Sequence, residues 1–210
     1  NEDLIPNRRV LMERFLKETE EERKTHLVCY PMIGPQSDFV TDICQYGFQF
    51  VGLAVLRFYF NQASDCTNIL YNAELKPMEQ EYDIVPWSDE YFENAINIAH
   101  EAFKNSSDAL FDSRFRTYDG VKDIITHIIN SSYGEFLPEY VSVLRHNGTA
   151  CGLCLVNITD GKIANIPIFA IKPEHQGKGL AKHLLKNSIS NLINDINAKK
   201  RDFRSEERRV

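Results

Sequence analysis

The sequence predicts an α/β, layered α+β fold: a mixed, largely antiparallel twisted sheet flanked by helices. Three observations carry that reading. Short β-rich runs end in turn signals, several longer segments repeat apolar residues at the helical period, and the second half of the chain orders them strand, two helices, three-strand meander, helix. Composition agrees. Of 210 residues, 43% are hydrophobic and 26% charged, which excludes collagen-like, low-complexity and wholly disordered chains.

Residues 8–24 place Leu11, Phe15 and Leu16 on one helical face between charged positions. The Pro- and Gly-punctuated run 30–36 reads as a loop. Ser37 or Asp38 then caps a short helix through Cys44 that stops at Gly47, and residues 48–60 read as a strand. Residues 61–80 are polar and mixed, a linker.

The second segment is more regular. Tyr82–Val85 is strand-like and ends at Pro86. Ser88 opens a helix over 89–104 with Phe92, Ala95, Ile96, Ala99 and Phe103 inward. A loop with Arg114 and Arg116 follows, and Thr117 or Asp119 caps a helix over 121–129. Tyr140–Leu144 is a strand, turned at His146-Asn147-Gly148 into a second over 149–159. Asp160-Gly161 turns that into a third over 162–171. Residues 180–197 form a helix with Leu184, Leu185, Ile189, Leu192 and Ile193 inward.

Net charge is −6, which argues against a nucleic-acid partner. The run 199–210 is locally basic, as solvated termini often are. No stretch approaches the roughly 18 apolar residues of a membrane span, and no secretory signal is visible, so the expected location is cytoplasmic, with no membrane partner. The chain opens on Asn1, and its last seven residues, RSEERRV, read as a translated sequencing adapter. Both ends are therefore expected to be truncated.

Five cysteines without a signal peptide favour reduced thiols. Cys151 and Cys154 form a C-x-x-C pair, yet no second pair or histidine set supplies zinc spacing, and no metal is expected. They sit in a β-rich run, where an offset of three sends the two side chains to opposite faces. The sequons at Asn105, Asn130, Asn147 and Asn157 carry no meaning without secretion.

The informative stretch is IPIFAIKPEHQGKGLAKHLLKNSI, 166–189. A strand ends at Pro173, and Gln176-Gly177-Lys178-Gly179-Leu180-Ala181 opens a long helix. Glycine at 177 and 179 permits a sharp turn and leaves backbone N–H groups uncovered. At a helix N-terminus such donors favour an anion, and a pyrophosphate fits. Lys178, Lys182 and His175 add positive or titratable groups. The P-loop pattern fails for want of spacing and a hydroxyl residue. The dinucleotide pattern fails because Lys182 stands where its third glycine would be.

With Phe169 and Ile171 in the strand and Gln176, Gly179 and Ala181 in the turn, this run resembles the acetyl-CoA-binding signature of the GNAT superfamily of acyl-CoA N-acyltransferases. There a strand Leu-x-Val-x-Pro leads into Arg/Gln-x-x-Gly-x-Gly/Ala. The resemblance extends more weakly from about Tyr82 to Asn197. It implies a GNAT-like fold and transfer of an acetyl group from acetyl-CoA to a primary amine of a small molecule or peptide, by direct attack in a ternary complex. It places pyrophosphate on the N–H groups of Gln176–Ala181, the pantetheine arm along Phe169, Ala170 and Ile171, and the Phe169 N–H on the thioester carbonyl. Independently, Pro167 implies an edge, bulge or gap.

The chain departs from the family in two ways. Asn165 and Pro167 stand where many members place a carboxylate on this strand. Glu135, with Glu139, Tyr133 and Tyr140, is then the candidate to line the acceptor cleft, Glu135 doubling as catalytic carboxylate. The family's closing strands and tyrosine would also follow Asn197, so the fold is expected to be incomplete at its C-terminal end. The implied organisation is an extension with linker at 1–80, a partial acetyl-CoA-binding domain at 81–198 and a charged tail at 199–210, of which 204–210 is non-native. Residues 39–60 resemble the closing part of a preceding, degenerate GNAT unit; an unrelated extension is the alternative. Two further readings stay open: a CoA-binding module that regulates without turnover, and an interaction domain without CoA. Oligomeric state is not legible.

Overall fold

The computed structural model describes residues 5–21, 44–48, 75–161 and 163–197. The loop expected at 30–36, nearly all of the strand at 48–60, most of the linker at 61–80 and the tail at 199–210 lie outside the described residues. The chain divides into two units, Asn1–Leu56 and Arg57–Val210.

In the first unit, helix α1 spans Ile5–Glu21. Leu11 and Phe15, expected inward, are exposed, and Leu16 is half-buried. Helical periodicity decides which side chains share a face but supplies nothing to pack on it. Glu13 accepts a hydrogen bond from the Tyr46 hydroxyl at 3.0 Å. Gly47, the expected helix stop, has φ +87° and donates its N–H to the Cys44 carbonyl.

The second unit is an antiparallel sheet between two helical layers. Its elements are β1 (Tyr82–Pro86), α2 (Phe92–Phe103), α3 (Asp108–Phe111), α4 (Tyr118–Ile129), β2 (Glu135–Phe136), β3 (Ser142–His146), β4 (Thr149–Thr159), β5 (Ile163–Ile171) and α5 (Leu180–Asn197). β1 pairs β3, β3 pairs the first half of β4, and β2 pairs its second half at Ile158 and Asn157. β5 pairs β4 along its other side, and among the described residues it has no further neighbour. The two hairpin turns form where expected. Asn147 and Gly148, then Asp160 and Gly161, all have positive φ, the turn whose twist matches the flanking strands.

α2 and α4 cover one face. Their stripes Ala95, Ile96, Ile98 and Ala99, and Val121, Ile124, Ile125 and Ile128, pack on Val143, Leu153, Leu155, Ile168 and Ala170. Ile98 joins the buried set while Phe92 and Phe103 stay half-buried at its margin. α5 covers the other face. Leu180, Leu184 and Leu192 pack there on Leu144, Cys154, Val156 and Ile158. Along α5, Leu185 and Ile189 are only half-buried, and the buried position between them is Ser188, whose hydroxyl donates to Ser142 of β3 at 2.7 Å.

Cys151 and Cys154 were expected on opposite faces, and both pack on the α5 face. The cause is a bulge: Gly152 faces Leu144 while Ala150 faces Arg145, so Cys151 is the extra residue. One inserted residue reverses the alternation. A second bulge sits in β5. Leu155 faces Ile168 and Asn157 faces Asn165, which sets Ile166 and Pro167 against Val156 alone. Pro167, with no N–H to give, occupies it.

Two segments read as loop or strand are 3₁₀ and helical turns. Asp112 accepts the Arg114 N–H and grips its guanidinium at 2.7–3.1 Å, which turns Ser113–Arg116 into a 3₁₀ helix. Tyr140 belongs to the 3₁₀ turn Pro138–Tyr140, so β3 starts later than expected. Its buried hydroxyl donates to Asp195 of α5 at 2.7 Å. Of the two candidate caps for α4, Thr117 acts: its hydroxyl accepts the Gly120 N–H.

Gly120 yields a test of this packing. Alanine normally stabilises a helix interior over glycine by about 1 kcal/mol. Here a Cβ would lie 2.3 Å from the Arg114 carbonyl oxygen, in the adjoining 3₁₀ turn. Gly120→Ala is therefore expected to destabilise, by roughly 1–3 kcal/mol as overpacking does, seen as a lowered urea midpoint at unchanged m-value. A raised midpoint would show that the turn does not abut the helix.

Candidate functional site

The candidate site begins with the direction of the β5 backbone. Lys172 donates its N–H to the Cys151 carbonyl of β4 at 2.9 Å. Backbone groups alternate sides along a strand, so Ala170 and Ile168 also point at β4, while Ile171 and Phe169 point their N–H and C=O away. The Gln176 amide confirms this direction by donating to the outward Ile171 carbonyl at 2.7 Å. Phe169 and Ile171 thus present N–H donors along the edge of β5 that has no partner strand among the described residues.

After β5 the chain makes a 3₁₀ turn, Pro173–His175, and then a loop whose two glycines both have positive φ, +76° at Gly177 and +79° at Gly179. Leu180 starts α5 and anchors it, buried on the sheet face. The N–H groups of Gly177 through Ala181 find no acceptor among the described residues. A Cβ built on Gly177 or Gly179 would meet nothing within 4 Å. The glycines are thus required by backbone conformation, and the outer face of the loop is open. Five consecutive donors thus stand at the positive end of an 18-residue helix, an arrangement that favours an anion.

Strand edge and loop meet in one cleft of about 200 Å³. Of the nine residues proposed for acetyl-CoA, the structure brings eight together as its lining: Phe169, Ala170, Ile171, Gln176, Gly177, Gly179, Leu180 and Ala181. His175 lines it as well. Lys178 does not, because its side chain turns aside to the Tyr82 hydroxyl, to which its ammonium donates at 2.9 Å. That same hydroxyl lies 2.8 Å from His175 Nδ1. Tyr82 escaped the sequence reading, since it stands far upstream of the motif and no local pattern marks it.

The candidate acid–base groups lie apart from this cleft. Glu135 is exposed on β2 opposite Ile158, whereas Phe169 faces Cys154 from the other side of β4. At about 3.4 Å per residue and 4.8 Å per strand, roughly 16 Å separates them. Glu139 is exposed, and Tyr140 sits in the core at 1% exposure. Tyr133 is 45% exposed, stacks on His127, and accepts the buried Asn157 amide on its backbone carbonyl at 2.7 Å. Asn165 donates to the Thr159 hydroxyl. Pro167 lies in the bulge, so neither position on β5 supplies a carboxylate.

Electrostatics divide the remaining ionisable groups. Arg145 holds the Asp83 carboxyl below its ordinary range, and the Arg114 guanidinium does the same for Asp112. Burial pushes the His175 imidazole down, with His146, Lys178 and Lys172 adding repulsion against Glu174. Burial also pushes the Cys151 and Cys154 thiols up to about 11. Among the described residues no group of three or more His, Cys, Asp or Glu is placed to hold a metal ion, and no helix is long and apolar enough to cross a membrane.

The model of the acetyltransferase (GNAT) family matches residues 73–201. No curated protein matches the chain. Among solved structures, a putative acetyltransferase from Pyrococcus horikoshii is 13% identical with a TM-score of 0.42, covering 55% of this chain and 36% of that one. The PaiA N-acetyltransferase from Thermoplasma acidophilum, in complex with coenzyme A, is 23% identical with a TM-score of 0.37, covering 57% and 72%. A GCN5-related N-acetyltransferase from Sphaerobacter thermophilus is 18% identical with a TM-score of 0.42, covering 58% and 36%. The chain thus spans little more than a third of the length of two of these three.

The cysteine environments are testable directly. A nucleophilic role needs thiolate, and a thiol near 11 carries almost none at pH 8. Incubation of the folded protein with a small disulfide reagent at pH 8, read by peptide mass spectrometry, is expected to label the exposed Cys44 and leave Cys151 and Cys154 unmodified. Both become labelled on unfolding. Rapid native labelling of either buried residue would contradict the burial.

Proposed function

Because the chain belongs to the acetyltransferase (GNAT) family, we propose that it transfers an acetyl group from acetyl-CoA to a primary amine. The observation that carries this is the junction of two donor sets in one cleft: the outward N–H groups of Phe169 and Ile171 on a free strand edge, and the loop donors from Gly177 to Ala181. They match a ligand that has an amide-bearing arm at one end and a pyrophosphate at the other.

The loop amides would hold the pyrophosphate, which gains from donors already fixed by the helix and by the two αL glycines. The β5 edge would hold the pantetheine arm in the manner of an added strand. Acetyl-CoA itself supplies the activated acyl group as a thioester. The Phe169 N–H would point at the thioester carbonyl and stabilise the negative charge that develops there as a deprotonated amine attacks. Nothing in this scheme calls for a nucleophile on the protein, in keeping with the inert buried thiols. Glu135, roughly 16 Å from Phe169 across β4, would contribute only a distant negative charge toward a cationic amine before that amine loses its proton. The acceptor's proton would leave through water, the C–S bond would break as the amide C–N bond forms, and CoA would depart as its thiol after taking a proton from solvent. Residues 81–198 constitute the proposed CoA-binding unit, and the amine is a small molecule or a peptide terminus.

A second reading has one specific observation behind it. With Asn165 bonded to Thr159 and Pro167 in the bulge, β5 has no carboxylate at the positions that could take a proton. That favours a module that binds CoA and regulates without turnover. Thiol release from acetyl-CoA, assayed against a panel of amines, separates the two.

The binding site has its own test. Gln176→Glu replaces the amide that donates to Ile171 with an anion, and Gly179→Asp adds a charge at an αL position whose side chain would project into the open face of the loop. Each is expected to weaken CoA binding by tenfold or more, since about 1.4 kcal/mol corresponds to tenfold, measured by calorimetry at fixed salt. Unchanged affinity in both variants would sink the site assignment.

A further inference from the structure

Two side chains that flank Gly177, those of His175 and Lys178, converge on one hydroxyl that belongs to neither the loop nor its helix. Tyr82 lies on β1, 4% exposed, with its ring against that of His146 at 4.6 Å between centroids. Its hydroxyl receives the Lys178 ammonium at 2.9 Å and lies 2.8 Å from His175 Nδ1. The protons on these three groups can be assigned. An ammonium only donates, so Tyr82 accepts from Lys178. The phenol keeps one proton of its own, and a buried hydroxyl does not leave its proton unpartnered when an acceptor is in reach. His175 Nδ1 is that acceptor. A neutral imidazole accepting at Nδ1 carries its proton on Nε2.

We propose that Tyr82 is a positioning residue for the anion loop: it holds the chain on either side of Gly177 and fixes His175 as the neutral Nε2–H tautomer, a donor at the cleft. This rests on the CoA reading of the cleft. A loop with two αL glycines is intrinsically free to move, and binding must then spend free energy to order it. The clasp ties residues 175 and 178, on either side of Gly177, to the rigid sheet. It also keeps the Lys178 charge beside the cradle while leaving the cleft itself open to the ligand.

The charged and titratable groups around His175 agree with a neutral ring. His146 of β3 stands 5.1 Å away between centroids, Lys178 and Lys172 add positive charge, and Glu174 opposes them. Glu79, upstream of β1, and Cys151 of β4 face the Lys178 ammonium. Protonating Nδ1 would remove the acceptor of the phenol proton and set a cation beside Lys178. The relay Lys178 to Tyr82 to His175 therefore runs in one direction.

The test uses the full chain. Long-range proton–nitrogen correlation of the histidine rings, on protein without ligand at pH 8, is expected to show His175 as the Nε2–H tautomer. In Tyr82→Phe, which keeps the ring and removes the hydroxyl, the Nδ1–H form should become populated. Calorimetry with CoA is expected to show a loss of roughly tenfold in Tyr82→Phe and a similar loss in Lys178→Met, the scale of one charge-assisted hydrogen bond. The double variant should lose no more than the worse single one, because both changes open the same clasp. A packing role for the Tyr82 ring would leave affinity unaltered in Tyr82→Phe, and independent roles for the two residues would give additive losses. Additivity, an unaltered affinity in Tyr82→Phe, or an Nδ1–H tautomer in the wild type each overturns the proposal. Wild-type protein that does not bind CoA defeats the acetyltransferase reading and the loop's role with it, whereas the tautomer measurement still decides whether the clasp exists.

Discussion

Half of the backbone polar groups of β5 point away from the sheet, and the rest of the candidate site is arranged around that fact. Peptide groups left without partners in an apolar setting cost free energy, so an unpaired strand edge must face water, another strand or a ligand. Among the described residues one outward group on this edge is answered by the chain itself, the Ile171 carbonyl, through Gln176. The N–H groups of Phe169 and Ile171 remain as donors beside a cleft. Immediately downstream, the loop into α5 carries N–H groups at Gly177 to Ala181 that have no acceptor among the described residues. Edge and helix end are adjacent because only eight residues separate Ile171 from Leu180, and the two αL glycines reverse the chain within them.

Two bulges tune this arrangement. The one at Ile166–Pro167 lets β5 carry a proline without losing its pairing on either side, so Ile168 and Ala170 still reach the α2–α4 core. The one at Cys151 puts that thiol on the α5 side, near the groups at the base of the loop. Both thiols are apolar packing there, held protonated by burial. The sheet thereby keeps two continuous cores while its strands depart from strict alternation, and the cleft forms where the α5-side core meets solvent.

Much of the fold was legible because its signals are local. The turns at Asn147-Gly148 and Asp160-Gly161, the helical stripes centred on Ile96 and Ile125, and the glycine pair before Leu180 each express a preference of a few neighbouring residues. Where the reading failed, the deciding contact, or its absence, lay outside the local pattern. Cys151 changed face because β3 needed one residue fewer than β4 to stay in register. Ser113–Arg116 coiled because Arg114 could grip both Asp112 and Asp123. Leu11 and Phe15 stayed exposed because a periodic stripe carries no information about what meets it.

What the sequence determined by itself was the family, the order of elements and the glycine loop before α5, since Gln176 to Ala181 is a contiguous run whose conformational needs can be read one residue after another. Tertiary structure alone decided what surrounds that loop. It turned the Phe169 and Ile171 N–H groups away from β4, set Glu135 on the far side of β4, and turned Lys178 out of the cleft onto Tyr82. The last of these joins residues with a sequence separation of 96. No spacing rule reaches that far, because the contact exists only once β1 has paired with β3 and α5 has packed across the sheet.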